Sequence, residues 1–175
     1  RLAIITNAGG PGVMATDFLI SKGGRLASLS DETISELSKV LPSYWSKSNP
    51  IDICEDATTE RFKKVIEICF KDPNIDGFLI IYTPIGAADP EKTAWTLVEL
   101  SRKTDKPILT SWLGEEDVRE ARSILRRNGI PTYPTPEQAV SAFMYLYEYA
   151  RNLELLYETP EELQVSLPKS KQDLE

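Results

Sequence analysis

The stretch Leu2-Ala-Ile-Ile-Thr-Asn-Ala-Gly-Gly-Pro-Gly12 combines an apolar run, a glycine-rich turn and the start of a helical pattern. An apolar run without polar alternation is typical of a strand that is covered on both faces. The glycines that follow it allow a tight strand-to-helix turn and let other groups approach the backbone closely. The stretch therefore predicts the first strand and the first helix of a parallel α/β sheet.

The same alternation of strand and helix patterns continues along the chain. Gly77–Tyr82 predicts a central strand, and apolar residues at helical spacing predict a helix over residues 58–71. The other predicted strands are residues 26–29, Ile108–Trp112 and Thr132–Tyr133, with a brief extended piece at residues 51–53. Five strands and five helices in this order predict a flavodoxin-like, doubly wound α/β fold with a five-stranded parallel sheet ordered 2-1-3-4-5.

Helix boundaries are marked by residue types that prefer helix ends. Asp89 is followed by proline, which suits an N-cap and the first helical position. Thr135 and Gln138 have the spacing of a capping box. The segment 115–127 begins with acidic residues and ends with arginines, which suits the helix dipole and predicts one helix.

The pattern predicts one folded domain followed by a tail. A length of 175 residues suits a single domain. Strand and helix patterns weaken after about residue 150, so we assign the domain to residues 1–151 and a helix or linker tail to residues 152–175. Thr159 and the proline after it could start one more short helix. Because the chain opens directly in a strand, we expect it to be a domain of a longer protein.

Composition and charge exclude several classes of function. The chain carries 27 acidic and 20 basic residues, and its net charge of −7 argues against nucleic-acid binding. It contains no histidine, which excludes a Ser-His-Asp hydrolase, a His-ligated metal site and a phosphohistidine on this chain. No apolar run reaches the length of a membrane span. Two isolated cysteines, Cys54 and Cys69, form no disulfide framework, so we expect reduced thiols and a cytoplasmic location.

Two loops are candidates for ligand binding. Ligands of doubly wound sheets bind beyond the carboxyl ends of the strands, where the strand order reverses. This rule selects the loops at residues 7–12 and 83–90, which consist largely of small residues and lead into helix N-termini that favour an anion. A purely structural turn is the alternative for both loops. In the second loop, Asp89 would also compete with a bound anion.

The first loop also matches a dinucleotide-binding pattern. Gly10-x-Gly12-x-x-Ala15 follows a strand, and Asp31 comes about 20 residues later. The chain has no second mononucleotide-binding half, and Asp31 is equally explained as an acid in the first turn of the next helix. A nicotinamide-binding domain therefore stays open as an alternative.

Three segments together resemble the NDP-forming acyl-CoA synthetase superfamily. They are Asn7-Ala-Gly-Gly-Pro-Gly-Val-Met-Ala-Thr-Asp17, the Asn-Pro-Ile-Asp of residues 49–52, and the Ala-Thr-Thr-Glu-Arg-Phe of residues 57–62. More narrowly, the chain resembles the ligase-CoA domain that ends the β subunit of succinyl-CoA synthetase. A similar domain lies between the phosphohistidine domain and the ATP-grasp module of single-chain ADP-forming acetyl-CoA synthetases and related protein acetyltransferases. The likeness runs from Arg1 to about Arg151.

The resemblance implies a role in a phosphoryl relay. In this family, acyl-CoA, ADP and phosphate become free acid, CoA and ATP through an acyl phosphate and a phosphorylated histidine. That histidine belongs to a partner domain, and its loop is received between two helix N-termini. Carried over to this chain, the phosphate or phosphohistidine site consists of Gly9, Gly10, Gly12 and the amides of Val13 and Met14. A glycine-lined helix start can hold such an anion without a charged side chain.

A second loop takes the place of the family's substrate-facing loop. It consists of Thr83, Pro84, Ile85 and Gly86. Where the family has paired glycines and a later polar or basic residue, this chain has Pro84 and, directly after the loop, Ala87 and Ala88. That departure removes the partner for a second carboxylate and favours a small monocarboxylate such as acetate.

The resemblance also implies which groups this chain does not supply. CoA, ATP or ADP and magnesium act in the complete enzyme, and none is expected to bind this chain alone. The partners are a phosphohistidine-bearing CoA-ligase domain and an ATP-grasp domain, in the same chain or in a separate subunit. The acidic turn of Asp52, Glu55 and Asp56 is more typical of a solvated turn than of a magnesium site. The alternative is a domain of an acyl-CoA-responsive regulator or protein acetyltransferase without ligase turnover.

Overall fold

The structure is a computed structural model that describes residues 1–157. These residues form a five-stranded parallel sheet in the order β2-β1-β3-β4-β5, which confirms the predicted doubly wound fold and its strand order. The strands are β1 (Leu2–Thr6), β2 (Ile51–Asp52), β3 (Gly77–Tyr82), β4 (Ile108–Trp112) and β5 (Thr132–Tyr133). The helices are α1 (Gly9–Ser21), α2 (Asp31–Val40), α3 (Thr59–Phe70), α4 (Pro90–Ser101), α5 (Arg119–Arg127) and α6 (Pro136–Tyr157). The helix start predicted at Thr159 lies outside the described residues.

The predicted second strand at residues 26–29 is wrong. Leu26 makes a single parallel bridge to Leu2, and β2 occupies the rest of the sheet edge beside β1. In the gap, the Asn49 side chain accepts a hydrogen bond from the Ile4 amide at 2.9 Å and donates one to the Leu2 carbonyl at 2.8 Å. A carboxamide replaces a strand here because it offers both a donor and an acceptor. Residues 26–29 and β2 share this edge of the sheet, and each is followed by its own helix, α2 and α3 respectively. The described residues therefore contain six α-helices rather than five.

The helices cover both faces of the sheet. On one face, residues of α2 to α5 pack with Ile5, Ile80 and Trp112 in the larger apolar cluster. On the other face, residues of α1 and α6 pack with Ile4 and Leu79. Because all six residues of β3 are buried, the strand lacks polar alternation, as its sequence predicted.

Most predicted helix ends are confirmed, and one helix is shorter than predicted. The Asp89 carboxylate accepts a hydrogen bond from the Lys92 amide at 2.7 Å and caps α4. The segment 115–127 is not one helix, since a 3₁₀ turn over Glu115–Val118 precedes α5. Glu115 has a φ of 39°, which a regular α-helix does not accommodate.

The last helix passes the predicted domain boundary. α6 is continuous from Pro136 to Tyr157, so residues 152–157 extend the helix and the boundary at 151 stays a prediction. Within the described part of the chain, no helix combines the length and apolarity that a membrane crossing requires.

Candidate functional site

The first turn of α1 is open to solvent. Its N-cap residue, Ala8, has no side-chain acceptor, and the first turn carries no acidic residue. The Gly9 and Gly10 amides precede the first backbone hydrogen bond of the helix, and Pro11 has no N–H group. Both glycines are exposed. The start of α1 therefore presents two free amide donors and the positive end of the helix dipole to solvent.

The predicted amide donors of Val13 and Met14 lie further inside the helix. In an α-helix each amide bonds the carbonyl four residues earlier, so these two amides are directed to the carbonyls of Gly9 and Gly10. The Val13 and Met14 side chains, however, are 57% and 51% exposed. These two residues therefore contribute an apolar rim to the helix start rather than hydrogen-bond donors.

The three glycines of the loop have different structural roles. A Cβ atom on Gly12 would lie 2.9 Å from Cγ2 of Thr6, so this glycine lets α1 pack closely against β1. A Cβ on Gly9 would lie 3.2 Å from Oδ2 of Asp52. A Cβ on Gly10 would meet no atom within 4 Å. Gly10 is therefore the position where the packing of the described residues tolerates a side chain.

Asn7 joins the two predicted ligand loops. Its side chain is fully buried between the ends of β1 and β3. The Asn7 Oδ1 accepts hydrogen bonds from the amide and the hydroxyl of Thr83 at 2.8 and 3.1 Å, and its Nδ2 donates to the Thr83 carbonyl at 2.9 Å. The predicted loop at residues 7–12 includes Asn7, but its sequence pattern indicates no separate role for this residue. The available signal was a carboxamide placed directly after a buried strand.

The neighbouring loops are brought into contact by glycines with positive φ angles. Gly86 has a φ of 76°, and a Cβ there would lie 1.8 Å from the carbonyl oxygen of Glu55. Gly114 has a φ of 114°, and a Cβ there would lie 2.6 Å from Cγ of Pro84. The predicted loop at residues 83–86 therefore contacts the loops that follow β2 and β4.

An aromatic cluster supports this loop from inside the domain. The Tyr82 hydroxyl donates a hydrogen bond to the Ala88 carbonyl at 2.6 Å, and its ring stacks on Trp112 with the ring centres 5.2 Å apart. Burial raises the pKa of Tyr82 to about 12, with a smaller contribution from the negative charge of Asp89. Tyr82 therefore stays neutral near pH 7 and acts as a structural donor.

The acidic turn after β2 lies beside the start of α1. Asp52 accepts a hydrogen bond from the Cys54 amide at 2.9 Å, and Asp56 pairs with Arg61 at 2.6 Å. Burial, together with the negative charges of Asp52 and Asp56, raises the pKa of the Cys54 thiol, so the thiol is not activated as a nucleophile. Residues 1–157 contain no group of three or more side chains suited to hold a metal ion.

The dinucleotide-binding pattern is not completed in three dimensions. Asp31 is the first residue of α2, directly after its N-cap Ser30. The Ser30 amide donates a hydrogen bond to Asp72, which lies shortly before β3, at the amino edge of the sheet. Gly9 follows β1 at the carboxyl edge. Asp31 therefore lies at the opposite edge from the glycine loop, as expected for a first-turn acid without a ligand role.

Comparison with known families decides the classification of the chain. The family model described as "Ligase-CoA domain" matches residues 2–157. The chain belongs to the Ligase-CoA domain family. This confirms the resemblance to NDP-forming acyl-CoA synthetases that the glycine loop and the two later segments indicated.

The relatives of this Ligase-CoA domain are longer proteins or subunits. The ADP-forming acetate–CoA ligase I of Archaeoglobus fulgidus is 38% identical over 171 residues, which are 98% of this chain and 24% of the relative. The alpha subunit of the ADP-forming acetate–CoA ligase II of Pyrococcus furiosus is 32% identical over 87% of this chain and 34% of that subunit. The chain therefore spans about a quarter to a third of the curated relatives it matches.

A solved structure shares the fold. The dinucleotide-forming acetyl-coenzyme A synthetase 1 of Ca. Korarchaeum cryptofilum, in complex with phosphate and ADP, is similar with a TM-score of 0.83 and 32% identity. The match covers 91% of this chain and 36% of that chain. The Ligase-CoA domain is thus found as one part of a larger acetyl-coenzyme A synthetase.

Asn7→Ala is expected to destabilise the Ligase-CoA domain by about 2–3 kcal/mol, because the amide of the half-buried Thr83 loses its acceptor, while the Thr83 carbonyl keeps only its hydrogen bond from the Ile85 amide. Thr83→Val, which removes only the hydroxyl contact, is the matched control and should cost about 1 kcal/mol. Denaturant unfolding followed by circular dichroism measures both free energies. Equal losses for the two variants would show that the Asn7 carboxamide does not hold the two loops together.

Proposed function

We propose that this Ligase-CoA domain works in an ADP-forming acyl-CoA synthetase, where the start of α1 holds the phosphate or phosphohistidine of a partner domain. The reaction interconverts acyl-CoA, ADP and phosphate with free acid, CoA and ATP. The observation that carries the proposal is the pair of free, exposed amides at Gly9 and Gly10 on an uncapped helix start.

The chain supplies dipoles rather than reacting groups. It has no histidine, so the phosphorylated histidine must come from another domain. Two preorganised amides and the helix dipole stabilise a charge held by that partner and need no reorganisation when it arrives. CoA, ATP or ADP and magnesium would then be bound by the CoA-ligase and ATP-grasp domains of the complete, cytoplasmic enzyme. The chain alone is catalytically silent.

The negative charges around the start of α1 favour weak, reversible binding of a phosphate group. The Asp52 carboxylate lies next to Gly9, and the chain as a whole carries a net charge of −7. Both weaken the attraction of a free phosphate ion. A phosphohistidine loop would be held by protein contacts in addition, including the exposed side chains of Val13 and Met14. A site of this kind can receive the loop and release it again, as a relay requires.

The acyl substrate is a small monocarboxylic acid such as acetate. The loop of Thr83, Pro84, Ile85 and Gly86 carries no basic side chain that could pair with a second carboxylate. Both relatives described above are named ADP-forming acetate–CoA ligases, as are three further ones. Both observations support acetate over a dicarboxylic acid.

Titration with inorganic phosphate tests the anion site directly. We expect the backbone amide resonances of Gly9 and Gly10 to move most in ¹⁵N NMR spectra, with a Kd of about 1–10 mM for a two-amide site. Gly10→Phe should abolish these shifts because the ring occupies the space in front of the amides. Ser35→Phe, at an exposed position of α2, is the matched control and should leave them unchanged. Uniform small shifts over the whole domain would contradict the proposal.

The alternative of a regulator or protein acetyltransferase uses the same domain with different neighbours. An attached or co-assembled ATP-grasp module with intact nucleotide-binding residues supports ligase turnover. An attached acetyltransferase domain supports the alternative.

A further inference from the structure

The distal half of α6 carries a large exposed apolar surface. The first half of the helix is anchored in the domain by Ala139, Val140, Phe143 and Met144, all of which are buried. From residue 145 to residue 157 every position is exposed. Eight large apolar side chains in this half are between 37% and 84% exposed. Tyr147 and Leu155 lie on other sides of the helix, and we call the remaining six the α6 patch: Tyr145, Leu146, Tyr149, Leu153, Leu156 and Tyr157.

The α6 patch forms one coherent face of the helix. At 100° per residue, its six side chains and Ala150 fall in a sector about 140° wide. The charged residues Glu148, Arg151 and Glu154 all lie outside this sector. An uncharged sector of this width is typical of a helix face that packs against apolar protein surface.

This face is not a continuation of the domain core. Averaged over Ala139, Val140, Phe143 and Met144, the buried direction of the first half lies about 120° from the centre of the α6 patch. The patch therefore faces away from the sheet that α6 covers. A helix that changes its apolar face along its length packs against two different partners.

We propose that the α6 patch pairs with the same patch of a second copy of this chain, with the two helices antiparallel. The residue types of the patch are nearly symmetric about Arg151: Tyr145 and Tyr157 are each six residues from it, and Leu146 and Leu156 are each five residues from it. In a twofold antiparallel pair centred on Arg151, Tyr145 of one copy meets Tyr157 of the other and Leu146 meets Leu156, so that tyrosine lies against tyrosine and leucine against leucine. Tyr149 and Leu153 are likewise equally distant from Arg151 along the chain. No charged residue lies in the sector of the helix surface that the α6 patch occupies.

The size of the patch sets the strength of the pairing. A fully buried tyrosine side chain removes ~150–250 Å² of surface from water. The six partly exposed side chains of the α6 patch therefore offer about 600 Å² of accessible surface on each copy. A pair would bury about 1,200 Å², the lower limit for stable interfaces. The dimer therefore forms and dissociates with protein concentration. The patch lies toward the amino edge of the sheet, where Met144 packs by Gly24, so pairing does not depend on the proposed phosphate site.

Sedimentation equilibrium of the 175-residue chain from ~1 μM to ~1 mM tests the pairing. The wild type should change from monomer to dimer within this range. Leu156→Glu should stay monomeric over the whole range, with unchanged circular dichroism. Leu155→Glu is the matched control, because it is an adjacent exposed leucine outside the patch, and it should dimerise like the wild type. A monomeric wild type, or equal behaviour of the two variants, overturns the proposal.

Mixing charged variants tests the antiparallel arrangement. The Leu146→Glu and Leu156→Lys variants should each be monomeric and should form a heterodimer when mixed, because residue 146 lies opposite residue 156 in an antiparallel pair. Mixing Leu146→Glu with Leu146→Lys should give no heterodimer. Recovery in the second mixture and not in the first would show parallel helices and contradict the proposed arrangement.

Discussion

If the proposed function is right, Gly10→Phe is expected to lower turnover of the proposed acyl-CoA synthetase by at least about 100-fold while this domain stays folded. The expected loss is comparable to removing an oxyanion-hole donor, because the phenyl ring would stand where the proposed phosphorylated loop would have to reach the free amides. A Cβ at this position meets no atom within 4 Å. The free energy of unfolding should therefore stay within about 1 kcal/mol of the wild type, since glycine is itself a poor helix former.

The controls for Gly10→Phe separate loss of the site from loss of the fold. Ser35→Phe introduces the same ring at an exposed position of α2 and should leave turnover unchanged. Thermal unfolding of the isolated domain checks that both variants fold. Steady-state formation of ATP from acetyl-CoA, ADP and phosphate measures turnover. Near wild-type turnover in Gly10→Phe would disprove the assignment of the phosphate site to the start of α1.

Gly86→Ala is expected to lower the free energy of unfolding by about 3–5 kcal/mol. One part of the cost is the left-handed backbone, since an alanine at a φ of 76° is strained by about 1–2 kcal/mol. The larger part is the contact with Glu55, whose carbonyl oxygen would lie 1.8 Å from the new Cβ. Neither backbone can move away without separating the loops after β2 and β3.

Gly129→Ala is the matched control for this effect. Gly129 has almost the same φ, 78°, but a Cβ there meets no atom within 4 Å. Its substitution should therefore cost only the backbone strain of about 1–2 kcal/mol. Denaturant unfolding of both variants measures the difference, which isolates the close approach of the two loops. If the two losses are equal, the contact between Gly86 and Glu55 does not stabilise the carboxyl edge.

Several parts of the fold follow from local sequence pattern. The unalternating run of β3 predicts a strand buried on both faces, and Asp89 with its following proline predicts the start of α4. The glycine loop directly after β1 predicts a helix start that is open to an anion. The predictions of the strand and of the two helix starts hold because each depends on residues within about one turn or one strand of each other, whereas anion binding at the start of α1 stays a prediction.

Other parts of the site were decided by tertiary contacts. Asn7 and Thr83 are 76 positions apart, and only the pairing of β1 with β3 brings the carboxamide to the loop it holds. Asn49 fills the sheet edge where a second strand was predicted. Asp31 lies at the opposite edge from Gly9, although its spacing along the chain suited a ligand contact.

The sequence by itself determined the sheet order, the glycine loop and the family of this domain, because local spacing and loop composition carry that information. The tertiary structure decided which amides stay free, which glycine can be replaced and which loops touch. These properties depend on the distance between segments that are far apart in sequence. No local pattern encodes such a distance, since it is set only when the strands pair and the helices pack on the sheet.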